Sequence, residues 1–163
     1  MSTLEESLGY VEGTVDVSII VPVCFDNPLK KYAVKFLAEA LSRKRRVIIP
    51  VSAVIGAYHI AAKYLKVPKL IVKKVLEGLL RTKSPALYPR ISPELAIDSL
   101  DYASAYDIES WDGYLIALSR SLGAKIVYSM DKELAKVREI VVVNPFPKDK
   151  LVEYHKWINV RIR

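Results

Sequence analysis

The chain has 163 residues, 52% of them hydrophobic and 26% charged, which excludes a disordered chain and suits a single globular domain over 1–163. No apolar run exceeds stretches such as Val47-Ile48-Ile49-Pro50-Val51, far short of the roughly 18 residues of a membrane span, and Met1 to Val11 lacks the basic-then-apolar order of a secretory signal, so a cytoplasmic protein is expected. One cysteine, Cys24, excludes an internal disulfide and a multi-thiolate zinc site, while the net charge of +7 points weakly to a polyanionic partner.

In chain order, Val15 to Val23 is rich in β-branched residues and reads as a first strand, with Asp16 and Ser18 in it or beside it. Asn27-Pro28 starts a helix whose apolar stripe runs through Leu29, Tyr32, Ala33, Phe36, Leu37, Ala40 and Leu41. That helix ends in Arg43-Lys44-Arg45-Arg46, four bases suited to a helix C-terminus or to phosphate. Val47 to Val51 is a second strand. Helices follow from about Ala53 to Leu65 and, after Pro68, from Lys69 to about Arg81. Ser84 to Pro89 reads as a loop with a short extended segment. Ser92-Pro93-Glu94 opens a helix to about Ser104, and another covers about Ser110 to Leu122 and stops at Gly123. A strand at Lys125 to Ser129, a short helix from Asp131 and a strand at Ile140 to Val143 come next. Residues 148–163 form a basic tail or final helix.

Strands alternating with helical pairs imply βαβ units, and so a three-layer α/β/α sandwich around a mainly parallel sheet. Ligands of such sheets sit beyond the carboxyl ends of the strands. Asp16 lies on or near the first strand, Asp131 follows the strand at Lys125 to Ser129, and Asp112 lies near the start of a helix. Right-handed crossovers are able to bring the three together. Charge is also unevenly spread: from Ile91 to Ser119 there is no Lys or Arg but there are six acids, whereas the rest has 25 bases and 12 acids. Carboxylates that hold a cation, set in a basic body that holds phosphates, are what a metal-dependent nuclease requires.

The segments VDVSIIVP (Val15 to Pro22), SWDGYLIALSRSLGAKIVYSMDKEL (Ser110 to Leu134) and IVVVNPFP (Ile140 to Pro147) together resemble a PIN domain, the metal-dependent ribonuclease fold of VapC-like toxin subunits in toxin–antitoxin pairs. Asp16 with Ser18 resembles the family's first acid, Asp112-Gly113-Tyr114 its third, and Ser129-Met130-Asp131 its fourth. The resemblance implies Asp16, Asp112 and Asp131 as catalytic ligands of Mg²⁺ or Mn²⁺, an RNA substrate, an antitoxin partner and a homodimer. It departs at the second acid, where counting from Ser52 reaches Tyr58. Asp107 or Glu109, just before Asp112, are substitutes for it, and His59 beside Tyr58 is weighed mainly as a packed or solvated residue.

Oxygen ligands suit Mg²⁺, and a bound divalent cation activates water and neutralises charge at a phosphodiester. Ser18 and Ser129 are placed to orient substrate or ligands. For the RNA backbone the candidates are Arg43, Lys44, Arg45, Arg46, Lys63 and Lys66, and the tail interleaves bases with Tyr154, His155 and Trp157 in a pattern suited to stacking on single-stranded RNA. Two alternatives stay open: a catalytically degenerate PIN-like domain that binds RNA or a protein partner, and a structural domain whose acids only cap helices. Six scattered glycines form no phosphate loop, and no Cys–His nucleophile pair is evident.

Overall fold

The structure is a computed structural model that describes residues 10–162; residues 1–9 and Arg163, the last base of the tail, lie outside the described residues. Five parallel strands form the sheet, in the order β3-β2-β1-β4-β5. They are β1 (Gly13–Val15), β2 (Val47–Pro50), β3 (Leu87–Tyr88), β4 (Ile126–Tyr128) and β5 (Val141–Val143). From β1 the chain crosses outward to β2 and β3, then returns to place β4 on the other side of β1. The switch point therefore falls between β1 and β4, where the diverging crossovers leave a crevice at the strand carboxyl ends.

Side chains alternate across the sheet as strand geometry requires. Val15, Val47, Ile49 and Tyr128 face a core shared with α1 (Val17–Ile20), α2 (Lys30–Leu41), α3 (Val51–His59), α4 (Lys69–Arg81) and α7 (Lys148–Ile162). Val127 faces the opposite side, where it packs with Leu115 and Ile116 of α6 (Ser110–Ser121), which lies against α5 (Pro93–Tyr106). The result is the α/β/α sandwich. Helix α6 is buried continuously from Gly113 to Ser119, and a 2.6 Å hydroxyl–hydroxyl hydrogen bond from Ser119 to Thr14 pins it to β1. Gly113 permits the close approach of α5: a Cβ there would lie 2.2 Å from the Ser99 carbonyl oxygen.

The first predicted strand is corrected. Only Gly13–Val15 is extended; Asp16 then caps α1, its carboxylate accepting from the Ser18 amide, and Val21–Cys24 continues as a 3₁₀ turn with Pro22 near its start. The β-branched run VSIIV is helical because burial of Ile19, Ile20 and Val21 decides its conformation, not its propensity. Helix α2 begins at Lys30, later than Asn27-Pro28 suggests, because Asn27 spends its side chain on a local turn, accepting from the Leu29 amide and donating to two carbonyls. Helix α3 runs on into a single π turn, Ile60–Tyr64. Gly123, at φ 72°, closes α6 as expected. The aromatics of the basic tail are largely spent on packing: Tyr154 is buried, and Trp157 stacks on Phe25 at 5.0 Å beneath the Arg161 guanidinium.

Among the described residues, no helix is long and apolar enough to cross a membrane.

Candidate active site

Asp16 follows β1 directly, and its amide donates to the Tyr128 carbonyl at the end of β4. The side chain is only 6% exposed, so a charge there needs hydrogen bonds in place of water. It receives them on one oxygen. The Ser18 hydroxyl donates to Asp16 Oδ2 at 2.7 Å, the Ser129 hydroxyl donates to the same atom at 2.8 Å, and the Ser18 amide adds a 3.3 Å contact. Both hydroxyls also accept: Ser18 from the Met130 amide at 3.0 Å, and Ser129 from the Asp131 amide at 2.9 Å. Two serines thus staple the carboxyl ends of β1 and β4 across the switch point. Asp131, the next residue in this web, caps a 3₁₀ turn (Lys132–Lys136), its Oδ1 accepting from the Glu133 amide.

Asp112 enters from the first turn of α6. A helix N-terminus favours a carboxylate. Even so, half-burial together with the nearby charges of Asp16, Asp131 and Glu109 pushes the Asp112 carboxyl up to about 7. Four acids from three separate chain segments therefore share one field.

A cavity of about 440 Å³ lies over this point, lined by Asp16, Glu109 and Asp112, by Ser52, Ile55, Gly56, His59 and Ile60 of α3 and its extension, and by Trp111. A larger hollow of about 820 Å³ between α5 and α6 has walls at Asp98, Asp101, Tyr106 and Glu139 and includes none of the four acids.

Of the two substitutes expected for the second acid, Glu109 lines the cavity. Asp107 does not; it ends α5 in the left-handed conformation, with its carbonyl accepting from Lys136. Tyr58 packs against the core and stays out of the cavity wall, whereas the neighbouring His59 faces in. The helical spacing 52, 55, 56, 59 is the signal that would have found this face. Trp111, next to Asp112 in the chain, lines the cavity as well, and its adjacency to that acid is its signal in the sequence. The base run Arg43–Arg46 precedes β2 and so sits at the amino ends of the strands, the edge opposite Asp16; there Arg45 pairs with Glu39 at 2.8 Å and covers the Phe36 ring. Lys63 and Lys66 are exposed in and just after the π turn and do not line the cavity.

Among the described residues, no three acidic, imidazole or thiol groups form a ready-made metal cage. The donor set still fits a hard divalent cation: all four nearby acids offer oxygen, and a cation such as Mg²⁺ commonly binds through one or two carboxylates and keeps several waters. A cation here would offset both the burial and the neighbouring carboxylates that raise the Asp112 carboxyl.

No curated protein matches the sequence. A solved structure described as a toxin-antitoxin complex from Klebsiella pneumoniae shares the fold, with a TM-score of 0.57 at 15% identity over 83% of this chain and 98% of that one. The family profile of the PIN domain matches residues 14–140, a span that contains Asp16, Asp112 and Asp131. The chain belongs to the PIN domain family.

Proposed function

We propose that this chain is a divalent-metal-dependent endoribonuclease and the toxin of a toxin–antitoxin pair. What supports the reading is the convergence of Asp16, Glu109, Asp112 and Asp131 from three chain segments inside the span matched by the PIN domain, with burial and the three neighbouring carboxylates raising the Asp112 carboxyl to about 7. Asp16, Asp112 and Asp131 are the proposed ligands of Mg²⁺ or Mn²⁺, with Glu109 in the place of the absent α3 acid. A bound cation supplies charge neutralisation at the phosphodiester and acidifies a coordinated water.

The chain's own residues do the positioning. Ser18 and Ser129 fix Asp16 Oδ2, leaving the carboxylate no freedom to turn away from the cavity. Ser129 also fixes the amide of Asp131. His59, which lines the same cavity, supplies a donor for a phosphate oxygen, and the exposed Lys63 and Lys66 supply positive charge just beyond it in the chain. Arg43, Lys44 and Arg46 meet only an RNA long enough to reach the far edge of the sheet.

An antitoxin partner is supported by the fold shared with a toxin-antitoxin complex, and a homodimer by the family resemblance. A second reading, RNA binding without cleavage, has its own support in α3, which presents Ser52, Ile55, Gly56 and His59 to the cavity and no acid.

The deciding assay is cleavage of an end-labelled single-stranded RNA with Mg²⁺ or Mn²⁺, with chelator, and with the Asp112→Asn protein. Metal-dependent cleavage lost in Asp112→Asn is the expected result. Salt-sensitive binding with no cleavage in either metal would install the second reading.

A further inference from the structure

The carboxylates explain only part of the cavity. They come from the end of β1 and from the segment leading into α6, whereas α3 contributes an apolar wall of Ala53, Ile55, Gly56 and Ile60 with His59 at its end. Trp111, 61% exposed, lines the same cavity. Its indole is not loose: the Tyr114 ring meets it edge-on at 6.2 Å and 90°, and Tyr114 is itself buried. The His59 ring is likewise held edge-on by Tyr64 at 5.3 Å. Two oriented rings and an apolar wall, at a volume within the roughly 300–1,000 Å³ of small-ligand pockets, form a site for a flat, neutral, apolar-faced group.

We propose that this half of the cavity is a nucleobase subsite, with the base adjoining the scissile phosphate stacked on Trp111 against the Ile55–His59 wall. The inference rests on the ribonuclease reading and deepens it. The occupant follows from continuity: one cavity is lined by Asp16, Glu109 and Asp112 and by both rings, so a ligand acted on by those carboxylates extends onto Trp111. In single-stranded RNA that group is a base, since each phosphate is followed within one nucleotide by an unstacked aromatic ring. The apolar part of that wall, Ala53, Ile55, Gly56 and Ile60, offers a bare phosphate no lysine or arginine. Trp111 is a positioning residue here, selecting which phosphodiester is presented and leaving bond breaking to the carboxylates.

The chain has two tryptophans, so in a Trp157→Phe protein all indole emission comes from Trp111. That protein is titrated in Mg²⁺ with each of the four ribonucleoside 5′-monophosphates, which contain no phosphodiester to cleave. Saturable quenching that differs among the four bases is expected. In parallel, cleavage of single-stranded RNA is compared for wild type, Trp111→Phe and Trp111→Ala. The alanine protein should show KM raised about fivefold to a hundredfold and a changed distribution of cut sites, with the phenylalanine protein within about threefold of wild type. Absence of quenching together with an unchanged cut-site distribution in Trp111→Ala overturns the subsite while leaving the nuclease intact. If wild type cleaves nothing, the nuclease reading fails, and nucleotide quenching alone still decides whether a base binds. A spectral response to N-acetylphenylalaninamide with none to nucleotides would give the cavity to a protein side chain and overturn the proposal.

Discussion

Replacing Asp112 by Asn removes one charge from a crowded field at almost no change in volume, and its effect on stability has a sign that most active-site changes would not have. The Asp112 carboxyl stands at about 7 in the fold against an ordinary 3.8. Between those values the folded chain keeps a proton that the unfolded chain has released, so wild-type stability falls as pH rises through the window. The difference of about 3 in pKa corresponds to about 4 kcal/mol at 1.36 kcal/mol each, and solvent screening of this half-buried group reduces that to about 2 kcal/mol. Below pH 4 both states hold the proton and the substitution gains nothing; above pH 7 it gains the full amount. The metal-free Asp112→Asn protein should therefore melt about 4–8 °C above wild type at pH 8, by the usual 2–4 °C per kcal/mol for a chain of this size, and level with it at pH 4. The assay is thermal unfolding in chelator across that range. Equal melting temperatures at pH 8, or a less stable Asn protein there, would refute the claim that burial and the charges of Asp16, Asp131 and Glu109 strain Asp112.

The same strained carboxyl predicts that Mg²⁺ or Mn²⁺ at about ten times its pH 8 dissociation constant adds about 1.4 kcal/mol at pH 8, read as a rise in melting temperature; at that same metal concentration the rise should be smaller at pH 6, where protons compete for Asp112, and absent in Asp112→Asn. Gly113→Ala drives a Cβ to 2.2 Å from the Ser99 carbonyl oxygen, so it should cost at least about 1–3 kcal/mol in chemical denaturation; a stability within 0.5 kcal/mol of wild type would mean that α5 yields without strain. Ser129→Ala leaves the Asp131 amide without its acceptor and strips one donor from buried Asp16, an expected loss of about 1–3 kcal/mol with cleavage reduced alongside, whereas Ser129→Thr keeps the hydroxyl and should retain most of both. If Ser129→Ala and Ser129→Thr lose cleavage equally, the hydroxyl is not what matters at this position.

Alternation of short β-branched runs with amphipathic helices was enough to read a parallel α/β sandwich, because strand and helix periods and crossover handedness are local or nearly local rules. The same rules misjudged VSIIV after Asp16. Its residues favour a strand, but the β1 ladder ends at Val15 and the serine–aspartate web turns the chain into α1. The acids followed a similar division. Asp112-Gly113 was legible as a motif, and the structure supplies its reason: Gly113 is where α5 touches α6, so the small residue holds the acid-bearing helix in place. Spacing left Asp107 and Glu109 equivalent as substitutes, and only the left-handed end of α5 sends one to the cavity and the other to its own helix cap.

From its own letters this chain determined its secondary-structure rhythm and its layer architecture, since both depend on neighbours a few residues away, while Asp16, Asp112 and Asp131 stood out only through the resemblance to PIN domains. Tertiary packing decided that Asp16, Asp112, Asp131 and Glu109 share one field, that His59 and not Tyr58 faces them, and that Trp111 walls the same cavity. Those facts depend on the crossing of β1 past β4 and on the rotation of α3, which are set by burial across more than a hundred residues of sequence, as the Ser129 to Asp16 hydrogen bond spans. Periodicity within one segment carries no information about that distance.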